Sequence, residues 1–475
     1  MLAAVAGALV YHRLSGNLTS FDAAGLSTDR PTAASADAEG RMPVNVLLIG
    51  SDARGGDNSA FGGGEAGGAR SDTTILLHVY ADHRRAVGVS IPRDSLVDIP
   101  SCRLPDGDWT APRTGVMFNS AFSVGGSEQG NPACAQNTVE KLTGLRIDHT
   151  IVVDFQGFAA VTGAVGGVEV CLPKAVHESD LNPNLGRLGE EIFARGKQRV
   201  SGKRALDYVR LRHGLGDGSD IGRTKRQQAF LAALIKEVKG RGLDPTALLP
   251  LADAATKSLT VDAGLNSPQK LVSFAASLKD IDLHETKFLT APWRYQGPRV
   301  ALVQPDTDQL WAALKADRAL DGEPQSGERQ SAGPPAGGTP QGDSRSAVDG
   351  TGIQVGVYNA TRTPGLAGRA AALLESSHFT VTNRANAATT GRATTVVEHG
   401  PGERAEAESA AALFPGATLE SGATPGLRIL LGADCAAALG RDAEAPGAAP
   451  APVPPSVSEA IRSADDDPCG DVSFG

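Results

Sequence analysis

Three apolar runs of strand length, Val44–Gly50, Thr73–Tyr80 and Ala86–Ile91, are each flanked by charge at one end, and this pattern constrains the fold more than any other stretch. The turn Ala81–Arg85 between the second and third suits an antiparallel pair, because a parallel pair needs a long crossover. If the three runs alternate up, down and up, Asp52 after the first, Arg70 and Asp72 before the second, and Arg93 and Asp94 after the third converge on one sheet edge. Any one of these carboxylates reads as an ordinary turn or cap residue. Three polar termini at one edge, two of them pairing Arg with Asp, read as a site. Gly55–Ala69 carries seven glycines in fifteen residues and lacks the GK[ST] of a phosphate-cradling loop, so it reads as a mobile loop.

A second feature points at the same chemistry. The chain has a net charge of −9, yet Arg195–Arg241 carries thirteen Lys/Arg against four Asp/Glu. Alternation through Tyr208–Arg212 puts Arg210 and Arg212 on one face of an extended segment. After a bend rich in glycine (Gly214, Gly216, Gly218), Ser219 or Asp220 can cap a helix whose apolar face is Phe230, Leu231, Leu234, Ile235 and Val238. Arg223 and Gln227, spaced i and i+4, share its first turns. Cations at a helix N-terminus oppose the macrodipole, so the arrangement makes sense when an anion sits there, and a phosphate or pyrophosphate suits guanidinium forks. The alternative for any single one of these arginines is a solvated surface charge.

At 475 residues the chain has room for two or three domains, and its 41% hydrophobic content is ordinary for a globular protein. The acidic net charge and 4% aromatics argue against a nucleic-acid binder. Residues 2–11 are apolar but span only half of a bilayer-crossing helix, so 1–12 reads as a truncated transmembrane anchor and the polar stretch 13–43 as a stalk. Asp148–Asp154, Phe155–Val165 and Val168–Leu172 read as strand, helix and strand, with Gly166-Gly167 closing the helix. Ala229–Val238, Thr246–Ala255, Pro268–Leu278 and Leu310–Leu320 read as helices completing a domain over 44–321. Residues 322–350, rich in Gly, Pro, Ser and Gln, read as a flexible linker. A small α/β module occupies 351–434, and 435–475 reads as a mostly disordered tail. None of the five cysteines forms a CxxC pair, which argues against zinc. Cys102 and Cys134 flank a Pro/Gly-rich insertion and Cys435 and Cys469 flank the tail, so two loop-closing disulfides are expected in an oxidising compartment, with Cys171 a buried thiol.

Taken together and in order, the motifs LLIGSD (Leu47–Asp52), RSDT (Arg70–Thr73), SIPRDS (Ser90–Ser95), FNSAF (Phe118–Phe122), VDFQGF (Val153–Phe158), VGGVEV (Val165–Val170), YVRLRH (Tyr208–His213) and GRTKRQQ (Gly222–Gln228) resemble the LytR-CpsA-Psr family of bacterial cell-wall proteins. VYNATRTPGLA (Val357–Ala367) resembles the start of a LytR C-terminal domain. The insertion between Cys102 and Cys134 lies outside the general pattern of the family.

The resemblance implies an α/β fold, a mixed sheet flanked by helices with a hydrophobic tunnel for a prenyl chain, succeeded by a second small α/β domain. It implies a phosphotransferase that moves a glycopolymer, teichoic-acid-like or arabinogalactan-like, from a polyprenyl-pyrophosphate carrier to peptidoglycan with Mg2+. The catalytic domain would be extracytoplasmic, held to the cell membrane by a single N-terminal pass. Asp52 and Asp72 correspond to the metal-associated carboxylates; Arg70, Arg93, Arg210, Arg212, Arg223 and Gln227 correspond to the pyrophosphate-binding set. Asp52, Asp72, Arg93 and Asp94 are the catalytic candidates, with the proton acceptor left open among the aspartates. Two other classes remain: a hydrolase cleaving the same lipid pyrophosphate with water, and a non-catalytic wall-polymer-binding regulator. On this reading Arg223 should be replaceable at little cost to stability, and a chain ending near Asp321 should remain folded.

Overall fold

A computed structural model of the chain describes residues 2–53, 69–215, 218–241, 245–320, 350–361, 366–387, 391–435 and 453–469, apart from single or paired positions within them. Most of the expected glycine loop, the linker and the first part of the tail lie outside the described residues. The chain divides into two compact units, Met1–Ala332 with Ala451–Gly475, and Gly333–Pro450.

The first unit opens with α1 (Leu2–Asn17), β1 (Thr19–Ser20), β2 (Val44–Ser51), β3 (Ser71–Val79) and β4 (Ala86–Ser90). A hairpin of β5 (Leu96–Ile99) and β6 (Arg113–Met117) leads to α2 (Pro132–Thr143), β7 (His149–Val153), α3 (Phe155–Ala164) and β8 (Val168–Leu172). The short β9 (Val176–His177), α4 (Glu178–Leu181) and β10 (Glu191–Phe193) precede β11 (Gly196–Val200), α5 (Gly202–Arg210) and α6 (Asp220–Gly240). Then come α7 (Pro245–Ser258), β12 (Leu259–Val261), α8 (Pro268–Ser277), β13 (Thr286–Thr290), β14 (Trp293–Gln296), β15 (Arg299–Leu302) and α9 (Asp306–Lys315).

Eight strands form the main sheet in the order β1-β12-β7-β2-β3-β4-β13, closed by β21 (Arg462–Ser463) from the tail. β2 pairs antiparallel with β3 and β3 with β4, as the three apolar runs require, whereas β7 lies parallel to β2 and β13 parallel to β4. The C-terminal ends of β7, β2, β4 and β13 and the start of β3 therefore share one edge. One face carries Leu47, Ile49, Leu76, Val89 and Leu289 into a core with Val139 of α2 and Leu310, Trp311 and Leu314 of α9. Gly88 is needed on the other face, because a Cβ there would lie 2.5 Å from the Phe288 ring.

Several local readings are corrected by packing. Tyr208–Arg212 is not extended: Arg210 closes α5, whose Ala205, Leu206 and Val209 recur at helical spacing and are buried. Five residues of alternating polarity cannot distinguish the two periods. Residues 13–43 are not a stalk. Arg13 pairs with Asp253 at 2.9 Å, β1 joins the sheet, and Arg30 pairs with the buried Glu140 at 2.5 Å. Helix α1 runs through the expected anchor and beyond it, and no described helix is long and apolar enough to cross a membrane.

The described part of the tail folds back onto the first unit. Among its described residues, Pro455–Ser458 form a short helix, Val457 is fully buried in the main core, and β21 pairs antiparallel with β13. Cys102 is bonded to Cys134 as expected, but Cys171 is bonded to Cys469, and Cys435 is a buried thiol. The expected Cys435–Cys469 bridge assumed that the tail stays beside its neighbour in sequence, whereas it returns to the first unit.

The second unit holds β16 (Gln354–Asn359), α10 (Leu366–Ser376), β17 (Thr380–Asn386), β18 (Val396–His399), α11 (Arg404–Ala411), β19 (Thr418–Ser421) and β20 (Leu427–Leu431). Its five-stranded mixed sheet packs Val355, Val357 and Ile429 against Leu366, Ala370 and Leu374 of α10 and against Ala407 and Ala410 of α11.

Candidate active site

The edge built by β2, β3 and β4 carries the converging charges. Asp52 and Arg70 are tied through their backbones: Asp52 N–H donates to the Arg70 carbonyl at 3.0 Å, and Arg70 N–H donates to Asp52 Oδ1 at 2.5 Å. Two residues on, Asp72 Oδ1 accepts from Arg93 Nη1 at 2.6 Å. Asp94 is held more loosely, 3.9 Å from Arg93 Nε and 3.9 Å from Arg299 Nη1.

Helix α6 closes the site from above. The Ser219 side chain accepts from Gly222 N–H at 2.9 Å and so is its cap, which leaves the Asp220 carboxylate for the site. Asp220 Oδ1 lies 3.1 Å from Arg93 Nε and 2.7 Å from Arg223 Nη2. Gln228 sets the register of the helix, its side-chain amide donating to Ser90 Oγ at 2.8 Å and to the Leu289 carbonyl at 2.8 Å. One polar side chain thus pins α6 to the ends of β4 and β13 and brings Arg223 over the edge.

Arg223 is 3% exposed, and neither its Nε nor its Nη2 makes a hydrogen bond, the 2.7 Å approach to Asp220 lying off the N–H direction. A buried guanidinium with donors unspent is costly unless a ligand takes them. Its burial pulls the pKa below the usual arginine value, with Arg93 and Arg212 adding to the effect and Asp220 and Asp72 offsetting only part. Burial raises the Asp72 carboxyl, yet Arg223, Arg93 and Arg212 outweigh it and hold Asp72 below the usual range. Arg93 is likewise drawn down by burial but ends raised through Asp220, Asp72 and Asp94. These mutual effects place Arg212, although exposed, within the field of the same cluster.

The remaining expected residues stand around this core. Arg210 stacks on the Phe155 ring at 4.4 Å, at the start of α3 beyond the end of β7. The Gln227 amide donates to the Val209 carbonyl at 3.4 Å, which ties α6 to α5. Asp220, Arg226 and Gln228 had no assigned site role in the sequence reading. Asp220 had a legible signal, an acid three residues before Arg223 at the mouth of a basic helix. Arg226, 2% exposed, donates to the Leu211 carbonyl and fixes the loop that carries Arg212.

One face of the sheet below this edge is less completely covered. Leu48 of β2 and Ile151 of β7 are direct partners at the centre of the sheet and only half-buried, whereas Leu47, Ile49 and Val152 on the other face are 0%, 1% and 6% exposed. Central strands are normally covered on both faces when helices flank them.

Residues 10–316 match the model of the LytR_cpsA_psr family, and residues 352–434 match that of the LytR cell envelope-related transcriptional attenuator. The chain is 30% identical over 373 residues to the cell wall biosynthesis protein LcpA of Corynebacterium glutamicum, covering 73% of this chain and 67% of that protein. It is 32% identical over 194 residues to the polyisoprenyl-teichoic acid–peptidoglycan teichoic acid transferase TagU of Oceanobacillus iheyensis, covering 41% of this chain and 51% of that one. Among solved structures, a LytR-Csp2A-Psr enzyme from Actinomyces oris aligns with a TM-score of 0.44 at 20% identity, over 63% of this chain and 96% of its own. On the strength of a family match that spans most of the first unit, the chain belongs to the LytR-CpsA-Psr family and carries a LytR C-terminal domain.

Proposed function

We propose that the chain transfers a glycopolymer from a polyprenyl-pyrophosphate carrier to a sugar hydroxyl of peptidoglycan. The observation that carries this reading is Arg223, buried at 3% exposure with Nε and Nη2 unspent, facing Arg93, Asp72 and Asp220. A desolvated guanidinium cluster of this kind fits a pyrophosphate, whose oxygens would take the open donors. The half-buried Leu48 and Ile151 supply an apolar bed for an isoprenoid chain below it. Relatives named as teichoic acid transferases support the same reaction class.

In the proposed step, the acceptor hydroxyl oxygen bonds to the phosphorus that bears the glycan, the bridge to the polyprenyl phosphate breaks, and polyprenyl monophosphate leaves. Positioning and charge neutralisation carry most of such a reaction. Arg93 and Arg223 hold the non-bridging oxygens, with Arg70, Arg210 and Arg212 around them and Gln227 joining α6 to α5. We assign the acceptor proton to Asp94. Asp72 is held below the usual carboxylate range and tied to Arg93, so it is a weak base, and Asp52 gives an oxygen to Arg70 N–H. Arg93 donates to Oδ1 of Asp72, and Asp72 with Asp52 would be the residues to hold a magnesium ion. When bound, such an ion would neutralise charge on the pyrophosphate.

Two disulfides support an oxidising, extracytoplasmic setting for this activity. The test is incubation with a lipid-pyrophosphate oligosaccharide and soluble peptidoglycan fragments, with mass analysis of the products. A phosphodiester adduct on the fragment supports transfer. Free glycan phosphate as the sole product would instead make the protein a hydrolase, and recovery of intact lipid would make it a binder.

A further inference from the structure

A groove with a volume of about 690 Å3 lies on the flank of the first unit, where the insertion between Cys102 and Cys134 meets the N-terminal segment and α2. Its walls are the N-terminal segment around Thr28 and Asp29, Pro100 and Ser101 just before the insertion, Trp109 and Pro112 within it, and α2 with Lys141. Trp109 is 47% exposed, an unusual state for the largest side chain on a stiff support.

The support is stiff for reasons that can be named. Arg103 and Trp109 form an antiparallel bridge across a turn closed by Leu104 N–H to the Asp108 carbonyl at 2.7 Å and Gly107 N–H to the Leu104 carbonyl at 3.0 Å. Thr110 N–H donates to the Cys102 carbonyl at 2.9 Å, and the Cys102–Cys134 bond fixes this turn to α2. The opposite wall is pinned by Arg103 Nη1 to Asp22 at 2.6 Å, Ser27 N–H to Asn137 Oδ1 at 3.0 Å, and the Arg30–Glu140 pair at 2.5 Å. An indole held half in water by a disulfide and a hydrogen-bonded turn forgoes burial that its area would reward, and rigid aromatic anchors of this kind mark binding sites.

We infer that this groove binds a neutral glycan strand, serving as the acceptor subsite of the transferase proposed above. A pyranose ring offers an apolar C–H face to the indole and a rim of hydroxyls to Thr28, Asp29, Ser101 and Lys141. The charge in the groove excludes a polyanion: Arg30 is spent on Glu140, and Asp29 faces the same space as Lys141. Trp109, Pro31, Pro100 and Pro112 give the lining an apolar share that suits the C–H faces of sugar rings, and the hydroxyl, carboxylate and ammonium groups beside them suit a sugar better than a lipid chain. Position fits as well, because Asp94 and Pro100 are six positions apart with β5 between them, at most roughly 22 Å of extended chain. A polymeric acceptor lying in the groove can therefore reach the carboxylate edge.

The acceptor role rests on the transfer reading, but binding can be tested without it. The probe is a tetrasaccharide of N-acetylglucosamine titrated into the purified full-length chain, monitored by calorimetry and tryptophan fluorescence. Saturable binding is expected, weakened at least about tenfold by Trp109→Ala and retained within a few-fold by Trp109→Phe, with thermal melting unchanged in both. Arg223→Met should bind the tetrasaccharide normally. In the transfer assay, Trp109→Ala should raise KM for soluble peptidoglycan fragments and leave KM for the lipid donor unchanged. Absence of binding to the native chain, or equal binding by Trp109→Ala, overturns the site. Normal acceptor KM in Trp109→Ala alongside active transfer overturns the acceptor role alone. If transfer itself fails while Trp109-dependent binding persists, the pyrophosphate reading falls and the glycan site stands.

Discussion

Arg223 Nη2 lies 2.7 Å from Asp220 Oδ1, and the two side chains differ sharply in burial, at 3% and 22% exposure. The arginine sits deeper than its counter-ion. From the sequence alone Arg223 is replaceable at little cost to stability because Phe230, Leu234 and Val238 already supply the buried face of its helix. The structure reverses that reason. Buried charge that is incompletely hydrogen-bonded is tolerated at sites where a ligand needs it.

Arg223→Met is therefore expected to leave stability unchanged or raise it by about 1 kcal/mol, because an apolar side chain of similar length removes a desolvated charge and Arg93 remains beside Asp220. Transfer should fall on the order of a hundredfold or more, the usual scale for losing a charge-assisted contact to a desolvated anion. Thermal melts beside transfer assays check both halves. A large fall in melting temperature would make Arg223 a structural residue.

Acid stability should expose Asp72. Its folded pKa is depressed, so the stability it contributes is fully present above the unfolded value of about 3.9 and is lost as pH falls through the folded value. Native protein should lose stability across that window below about pH 4 more steeply than Asp72→Asn. Melting temperatures measured from pH 6 down to pH 3 give the comparison, and parallel curves would remove the inferred shift.

The two disulfides can be tested by non-reducing peptide mapping, which should recover Cys102 with Cys134 and Cys171 with Cys469, leaving Cys435 to react with thiol reagents only after denaturation. Replacing Cys102 and Cys134 together by Ser should cost about 3–4 kcal/mol, the loop-entropy value for a separation of 32 residues. Denaturant titration measures it.

A chain ending near Asp321 is now expected to be destabilised, contrary to the sequence reading, because it loses β21 from the open edge of β13, Val457 from the core and the partner of Cys171. Excising 333–450 and joining the ends with a short Gly/Ser linker should preserve folding and transfer, since Leu320 and Val453 both pack against the same core. Circular dichroism melts and transfer assays on the two deletions should diverge. If the excised chain folds but is inactive, the second unit has a role in the reaction.

By itself the sequence determined the features that depend on short-range period and on order along the chain. Alternating apolar runs and a tight turn were enough to align β2, β3 and β4, and with them Asp52, Arg70, Asp72, Arg93 and Asp94, because strand direction and strand ends are local properties. The helix α6 was legible for the same reason, with its cap narrowed to Ser219 or Asp220. Tertiary structure decided everything that joins distant segments. Arg223 became buried because Gln228 docks α6 on Ser90 and Leu289, and Asp220 became a site residue because Arg93 lies beneath it. Arg210 left the extended reading for the end of a helix because Leu206 and Val209 found a core to fill. The tail went back to the first unit, and Cys469 to Cys171, 298 positions away, because an open strand edge and an unfilled core position reward any segment that completes them. Such partnerships depend on surfaces that exist only once the sheet is assembled, so no spacing in the sequence encodes them.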